Sequence, residues 1–283
     1  MTLAGRLVLV ATPIGNLGDL SPRARQVLAT ADMLCCEDTR RTRQLLAHAG
    51  IAGGRRLVSV HAHNEQARIG EVLARLKAGD LVALVSDAGT PAVSDPGVRL
   101  VAAAAEAGIE VSVVPGPNAA LSALVVSGLP TDRFCFEGFL PRRGAERRRR
   151  LEALAGERRT AIVYETAPRL AATLADLVQA CGSHRRVVVA RELTKLHEEI
   201  WRGELEEAAE EFGHDEVRGE LVVVVEGAPA PSGPGDDEVR RALADERKAG
   251  LSLRDAADAV SSSLGLSRRR VYTLAVSVWN APP

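Results

Sequence analysis

Short apolar runs alternate with amphipathic segments along the first half of the chain. Runs such as RLVLVAT at 6–12 and LVALVS at 81–86 are typical of buried strands. Segments of helical period lie between such runs, and Ser21 and Pro22 have the residue types of an N-cap and a first helical position. This alternation predicts a mainly parallel sheet covered by helices.

A second series of apolar runs follows and ends with ELVVVVEG at 220–227. Within it, EEIWRG at 198–203 alternates between apolar and polar residues, which indicates a further, antiparallel strand. APAPSGPGDD at 228–237 has the composition of a linker. The tail predicts three short helices, and Gly265 lies between the last two, as in a helix-turn-helix.

These patterns predict an α/β fold of two consecutive α/β domains with a small C-terminal helical module. The N-terminal domain is expected at 1–117 and the second α/β domain at 118–228. The linker is expected at 229–236, and the helix-turn-helix-like module at 237–283.

Composition excludes several classes of protein. Aromatic residues make up only 3% of the chain, which argues against base stacking on aromatic platforms, and the net charge of −1 restricts nucleic-acid contacts to local patches. No two of the four cysteines form a C-x-x-C pair, so we expect reduced thiols. No signal-peptide layout and no apolar run of about 20 residues is present, so we expect a cytoplasmic protein without a membrane span.

Short polar loops follow five successive predicted strands. They are TPIGNLGD, EDTRR, HAHNE, SDAGTPAVSDPG and PGPNAA, starting at residues 12, 37, 61, 86 and 115. The carboxyl ends of parallel strands meet at one edge of a sheet, where ligands bind. SDAGTPAVSDPG can be a plain turn or a ligand-binding loop, because its residue types serve both purposes.

Common site motifs are missing from these loops. TPIGNLGD is not G-x-G-x-x-G, and the chain has neither a G-K-[ST] nor a G-x-S-x-G sequence. His61 and His63 could share a metal ion, but no third ligand is evident, so we expect no metal.

Eight motifs, taken in order, resemble the tetrapyrrole methylase superfamily of S-adenosylmethionine-dependent methyltransferases. They are TPIGNLGD, CEDTRRTRQLL, HAHNE, LVSDAGTPAVSDPG, VVPGPNAALSALVVSGL, FEGFLP, RELTKLHEEIWRG and GELVVVVEG. Within the superfamily they are similar to the ribosomal RNA small subunit methyltransferase I branch, which methylates a cytidine 2′-hydroxyl in the decoding region. The resemblance runs from about residue 6 to 227, and the tail is similar as well.

The resemblance implies a homodimer, a small-subunit ribosomal RNA substrate, and a cleft between two α/β domains that holds S-adenosylmethionine. It places cofactor contacts at Pro13, Gly15, Asp87, Ala88, Thr90, Pro115, Asn118, Ala119, Glu165, Glu226, Gly227 and Ala228. One departure stands out: the family's Tyr-Glu-x-Pro-His-Arg run is YETAPR here, at 164–169. Arg169 remains but the histidine is absent, so no catalytic role in this chain can rest on it.

Methyl transfer to a ribose hydroxyl needs a base or a cation, because a neutral hydroxyl is a poor nucleophile. Lys195 could stabilise the developing alkoxide and Glu198 could accept its proton, although both could equally be solvated surface charges. Asp95 is a further candidate, or simply the N-cap of the helix that follows Pro96.

Two basic segments are candidate phosphate contacts. They comprise Arg142, Arg143, Arg147, Arg148, Arg149 and Arg150 after FEGFLP, and Arg268, Arg269 and Arg270 at the start of the last predicted helix. The alternative is a solvated helix face, but four consecutive arginines exceed what solubility requires.

Two other functions fit parts of the sequence. A tetrapyrrole C-methyltransferase could use the same arginines to bind substrate carboxylates, but it would not need the C-terminal module. A non-catalytic nucleic-acid-binding protein could use the helices at 252–278, but it would leave the five loops unexplained.

Overall fold

The computed structural model describes residues 5–52, 54, 56–213, 217–230 and 234–280. The chain divides into two compact units, and the division falls between Ala228 and Pro229. Part of the predicted linker, 231–233, lies outside the described residues. Within the described ranges, no helix combines the length and the apolar character needed to cross a membrane.

The first unit begins with a five-stranded parallel sheet in the order β3-β2-β4-β1-β5. Its strands are β1 (Arg6–Val10), β2 (Met33–Cys36), β3 (Arg56–Ser59), β4 (Leu81–Val85) and β5 (Glu110–Val114). The connecting helices are α1 (Pro22–Thr30), α2 (Thr39–His48), α3 (Glu65–Lys77) and α4 (Val98–Glu106). Apolar clusters lie on both faces, one with α1 and α2 and the other with α3 and α4. Two covered faces explain why β2 and β4 consist almost wholly of buried residues.

The second sheet belongs to the same unit and is mixed, in the order β6-β7-β10-β8-β9. Its strands are β6 (Phe134–Phe139), β7 (Thr160–Thr166), β8 (Arg186–Arg191), β9 (Glu199–Glu204) and β10 (Glu220–Val225). The accompanying helices are α5 (Ala119–Ser127), α6 (Gly144–Gly156), α7 (Leu170–Cys181) and α8 (Leu205–Glu211). β10 runs antiparallel to both β7 and β8, and β9 runs antiparallel to β8, which confirms the antiparallel strand expected from EEIWRG.

Helices cover both faces of the second sheet. α6, α7 and α8 contribute to the cluster on one face. The cluster on the other face contains α5 residues together with Ile14, which follows β1 of the first sheet. The two sheets therefore share a packed boundary, and the loop after β1 is part of it.

The second unit contains α9 (Asp236–Lys248), α10 (Leu253–Leu264) and α11 (Arg268–Asn280). They pack around a small apolar cluster that includes Leu243, Val260 and Val271. Gly265 ends α10 in the left-handed region, with φ of 63°, which a residue without Cβ adopts readily. The predicted α/β class with a helical C-terminal module is confirmed, whereas the predicted bounds of the two α/β domains stay predictions.

Candidate functional site

A cavity of about 460 Å³ lies between the two sheets of the first unit, at the carboxyl edge of the first sheet. It is lined by Ile14, Ala88, Gly89, Thr90, Val93, Ser94, Asp95, Asn118, Ala119, Phe139, Tyr164, Glu165, Thr166, Ala167, Pro168, Ala190, Leu193, Gly219, Glu220, Leu221 and Val222. The volume is within the range of small-molecule sites, about 300–1,000 Å³. The lining is mostly apolar with a few polar groups, which is the usual composition of such sites.

The loops after β1, β4 and β5 interlock to form one wall. Thr12 and Gly89 exchange backbone hydrogen bonds of 2.9 and 3.1 Å. The Thr90 hydroxyl donates to the Pro117 carbonyl at 3.2 Å. Asn118 caps α5 by accepting a hydrogen bond from Leu121 N at 3.0 Å. Sequence reasoning placed Ala88, Thr90, Asn118 and Ala119 at a ligand site, and the structure brings all four to this cavity.

The segment from Ala92 to Gly97 carries Asp95 into the cavity wall in a strained conformation. Ala92 and Ser94 have φ of 66° and 62°, a region that costs a residue with a side chain on the order of 1–3 kcal/mol. Gly97, not Asp95, is the N-cap of α4, so Asp95 has no capping role.

Glu65 holds the end of this segment in place. Its buried carboxylate accepts hydrogen bonds from the backbone N–H groups of Gly97 at 3.1 Å and Leu100 at 3.0 Å. Asn64 in turn closes its own loop by accepting from His61 N at 2.8 Å. The HAHNE motif therefore positions the loop after β4, although Glu65 does not line the cavity.

The environment of Asp95 favours its protonated form. Burial raises the pKa of this carboxyl to about 6, and the negative charges of Glu37 and Asp87 act in the same direction. A hydrogen bond with Ser86 opposes the rise in pKa.

An aromatic group from the second sheet forms the facing wall. The ring of Tyr164 contacts the rings of Phe136 and Phe139, with centroids 4.9 and 5.6 Å apart. Its hydroxyl accepts a hydrogen bond from Ala120 N at 3.2 Å, and burial raises the pKa of that hydroxyl. Sequence reasoning missed Tyr164 and Phe139, because a lone aromatic residue in a strand is typical of ordinary core packing.

Glu165 lines the cavity, but its side chain is fully buried and belongs to a hydrogen-bond network. Its carboxylate accepts from the Thr173 hydroxyl at 2.6 Å and pairs with Arg169 at 3.2 Å. Arg147 extends the network to Thr173 at 3.0 Å and to Asp176 at 2.7 Å. Arg169 therefore has an ion-pair partner within the YETAPR run, although that run lacks the family's histidine.

Lys195 lies at the rim of the cavity. Its ammonium contacts Glu192 at 2.7 Å and the cavity-lining Glu220 at 3.1 Å. Partial burial opposes its charge, but the hydrogen bonds to the two carboxylates outweigh that effect and raise the pKa of the ammonium. Glu198 accepts a hydrogen bond from Thr194 N at 2.6 Å and does not line the cavity.

Other predicted contacts support the loops without lining the cavity. Asp87 accepts from Asp38 N at 3.0 Å and pairs with Arg41 at 3.5 Å, which ties the loop after β2 to the loop after β4. Gly15 packs closely against Leu193. A Cβ atom added to Gly15 would lie 2.9 Å from the carbonyl oxygen of Leu193. Two more predicted contacts, Pro13 and Pro115, belong to the same strand-exit loops but lie outside the lining.

The segment Glu226–Ala228 lies at the opposite end of the second sheet. Glu226 N donates to Arg186 O, at the start of β8, and Ala228 N donates to Glu157 O, just before β7. Since β10 is antiparallel to its neighbours, its amino end reaches the cavity through Gly219–Val222 and its carboxyl end points away. The resemblance placed cofactor contacts at Glu226, Gly227 and Ala228, and the structure does not bring these three residues to this cavity. The change of strand direction is not visible in the run ELVVVV.

The predicted phosphate-contacting arginines differ in exposure. Arg147 is buried in the network around Glu165, and Arg150 pairs with Glu137 at 3.2 Å. Four arginines of the first segment are exposed and lie outside this network. They are Arg142, Arg143, Arg148 and Arg149.

In the second unit, two of the three predicted arginines have acidic partners. Arg268 donates to Asp258 at 2.8 Å, and Arg270 pairs with Asp236 at 2.8 Å. Arg269 is exposed beside them on α11. These pairs offset the cost of placing cations at a helix N-terminus.

The rings of His61 and His63 lie 6.1 Å apart. Over the ranges that the structure describes, no three His, Cys, Asp or Glu side chains form a group able to hold a metal ion.

Comparison with known proteins agrees with this architecture. Residues 6–209 match the family described as Tetrapyrrole (Corrin/Porphyrin) Methylases. Among solved structures, uroporphyrin-III C-methyl transferase from Thermus thermophilus complexed with S-adenyl homocysteine has a TM-score of 0.54 at 23% identity, covering 78% of this chain and 97% of that one. Diphthine synthase has a TM-score of 0.61 at 15% identity, covering 78% and 89% of the two chains.

Curated relatives match almost the whole chain. "Ribosomal RNA small subunit methyltransferase I" of Xylella fastidiosa (strain Temecula1 / ATCC 700964) is 50% identical over 274 residues, covering 96% of this chain and 99% of the relative. The protein of the same name from Escherichia coli O157:H7 is 45% identical, covering 96% and 95%. The chain therefore belongs to the tetrapyrrole methylase family, in the branch whose members are called ribosomal RNA small subunit methyltransferase I.

Proposed function

We propose that this protein transfers a methyl group from S-adenosylmethionine to the ribose 2′-hydroxyl of a cytidine in small-subunit ribosomal RNA. The observation that carries the proposal is the cavity between the two sheets, in a chain 45–50% identical over nearly its full length to curated rRNA methyltransferases. The cytidine and the 2′-oxygen come from the resemblance of the eight motifs to that branch.

The cavity suits a nucleoside-containing sulfonium. Ile14, Leu193 and Val222 provide apolar surface for a base, and Thr90 and Asn118 provide polar groups for a ribose or an amino acid moiety. When bound, S-adenosylmethionine supplies an electrophilic methyl group. A solved structure of the same fold contains the demethylated product, S-adenyl homocysteine, which supports this choice of donor.

Exposed arginines at the start of α6 supply the cationic surface that RNA needs. Arg142, Arg143, Arg148 and Arg149 are exposed, and α6 follows β6, whose last residue, Phe139, lines the cavity. Cations near the cavity mouth would bind backbone phosphates and position a ribose for in-line attack.

The predicted catalytic pair has unequal support. Lys195 remains protonated at neutral pH because its pKa is raised, so it can stabilise negative charge near Glu220 but cannot accept a proton. Glu198 is engaged by a backbone N–H outside the cavity lining, which makes it a poor proton acceptor for a substrate in the cavity.

We also propose a homodimer in the cytoplasm. Several large apolar side chains on β5 and α5 are exposed, among them Val113, Leu121 and Val125, which is 70% exposed. Apolar surface of this kind is typical of protein–protein contacts. Light scattering on the purified protein would give the mass of a dimer, and Val125→Glu should shift it toward the monomer.

The first test uses purified protein, labelled S-adenosylmethionine, and small ribosomal subunits from cells lacking this enzyme. Digestion and mass spectrometry should reveal 2′-O-methylcytidine. If the protein binds the donor but does not methylate the RNA, the proposed substrate is wrong, and tetrapyrrole precursors would be tested next.

A charge control separates RNA binding from general effects. Arg148→Ala combined with Arg149→Ala should weaken RNA binding and make it less dependent on salt. The slope of the logarithm of affinity against the logarithm of salt concentration should fall in magnitude by about 0.7–0.9 for each phosphate that is no longer neutralised. Lys77→Ala is the matched control, because Lys77 is exposed at the end of α3 that leads into β4, away from the cavity edge.

A further inference from the structure

We propose that Leu196, in the loop between β8 and β9, inserts between bases of the substrate RNA next to the target cytidine. This inference rests on the proposed function and deepens it, because it names a contact that holds the RNA at the mouth of the cavity. Leu196 makes or breaks no bond in this role. It is a residue that positions the substrate.

The exposure of Leu196 is the first argument. Its side chain is 92% exposed, more than any other large apolar side chain in the part of the chain that the structure describes. Leu193, three residues earlier, is buried and lines the cavity. The chain therefore leaves the cavity wall and at once presents an apolar side chain to solvent. Full burial of a leucine side chain on binding shifts an equilibrium by roughly 10–150-fold, so a ligand that covers Leu196 gains affinity.

The loop that carries Leu196 is fixed on both sides of it. The Thr194 hydroxyl accepts a hydrogen bond from Asn16 N at 3.1 Å, which ties the loop to the segment after β1. Thr194 N donates to the Glu198 carboxylate at 2.6 Å, and this bond closes the loop around Leu196. Thr194 also has φ of 66°, in the left-handed region. A loop held in this way loses little conformational entropy when a ligand binds to it.

The direction of the strands places this loop across the cavity from the arginines of α6. β6 is parallel to β7, and β10 is antiparallel to both β7 and β8, so β6 and β8 end at the same edge of the sheet. In the order β6-β7-β10-β8 these two ends are three strand spacings apart, roughly 14 Å. α6 follows β6, and Leu196 follows β8. An RNA strand with phosphates on α6 and a ribose at the cavity therefore extends toward Leu196.

A nucleobase is the part of such a strand that suits Leu196. Phosphates and riboses are polar, whereas the faces of bases are apolar, and leucine is among the side chains that proteins insert between base steps. Proteins recognise RNA mainly where bases are unstacked, and an inserted side chain keeps two neighbours apart. The apolar residues of the proposed dimer contact, such as Val113 and Val125, lie on β5 and α5 and not in this loop.

The test measures methyl transfer at saturating S-adenosylmethionine while the concentration of small ribosomal subunits is varied. Leu196→Ala should raise the KM for subunits by about 5–50-fold, because alanine keeps only part of the apolar surface. Its kcat should stay within about twofold of wild type, because the contact is made both before and during methyl transfer. Leu196→Met, which keeps the apolar volume, should restore most of the affinity.

The matched control is Phe134→Leu, which trims an exposed apolar side chain at the start of β6, the end of the second sheet away from the cavity. Its KM for subunits should equal that of wild type. The salt dependence of subunit binding gives a second readout. Leu196→Ala should weaken binding equally at every salt concentration, since it removes no charge, whereas the double arginine variant of α6 reduces the slope.

A wild-type KM in Leu196→Ala would overturn the inference and leave the proposed function intact. So would an equal rise in KM in Leu196→Met, or weaker S-adenosylmethionine binding by Leu196→Ala in calorimetry. A lower mass of Leu196→Ala in light scattering would assign Leu196 to a contact with a second copy of the chain and would also overturn it. If wild-type protein binds the donor but leaves the RNA unmethylated, the proposed function and the inference are both wrong.

Discussion

Replacing Arg147 with alanine removes three hydrogen bonds from the buried network between α6 and α7. The guanidinium donates to Asp176 at 2.7 Å, to Pro141 O at 2.9 Å and to the Thr173 hydroxyl at 3.0 Å. A net hydrogen bond contributes about 1 kcal/mol, which gives about 3 kcal/mol for the three. The Asp176 side chain is 39% exposed, so water compensates for part of this change, and the expected destabilisation is about 2–3 kcal/mol.

Tryptophan fluorescence can follow this change. Trp201 packs on Phe212 in the apolar cluster of the second sheet, whereas Trp279 belongs to the second unit. In a Trp279→Phe background, urea unfolding monitored through Trp201 therefore reports on the sheet that the network supports. The matched control is Arg148→Ala, an exposed neighbour that should change the unfolding free energy by less than about 0.5 kcal/mol. Equal unfolding midpoints for Arg147→Ala and this control would refute the structural role.

Three further changes test residues that line the cavity or support the loops around it. Glu65→Ala should destabilise the protein by about 2–3 kcal/mol in urea unfolding, because two buried N–H groups lose their acceptor, and Glu65→Gln should recover part of this. Gly89→Ala should weaken donor binding in calorimetry, since Gly89 has φ of 82° and a Cβ would lie 3.3 Å from Ile14 Cγ2; wild-type affinity would contradict this. A hydrogen bond from Lys195 lowers the pKa of Glu192 below its ordinary 4.5, so the stability advantage of wild type over Lys195→Met should be present above pH 4.5 and shrink as the pH falls. An advantage independent of pH would exclude this pair as its source.

Local patterns predict most of the fold. The parallel sheet follows from runs such as LVALV, in which every residue but the first is buried, and the cap at Ser21 forms as its residue type indicates. The direction of β10 could not be predicted in this way. An apolar strand covered on both faces has the same composition in either direction, so the placement of Glu226 relative to the cavity required tertiary structure.

The candidate site likewise combines residues that local patterns predict with residues that only the tertiary structure brings in. Thr90 and Asn118 follow strand ends, and that position alone indicates a ligand-binding edge. Tyr164 and Glu220 enter the cavity only because the second sheet packs against the first, which no local pattern specifies. Arg147 was indistinguishable from its arginine neighbours in sequence, because helical phase and the partner Asp176 decide which of them turns inward.

Four non-glycine residues in the described ranges have positive φ, and they lie in just two loops: Ala92 and Ser94 after β4, and Glu192 and Thr194 after β8. Both loops contribute to the cavity wall. Selection for heat resistance alone would relax these positions first, for example through glycine or asparagine. Heat-adapted versions of this enzyme, which must also stay active, should therefore gain stability at helix surfaces and distant turns. Laboratory evolution that selects for activity together with a higher melting temperature should hold these two loops fixed.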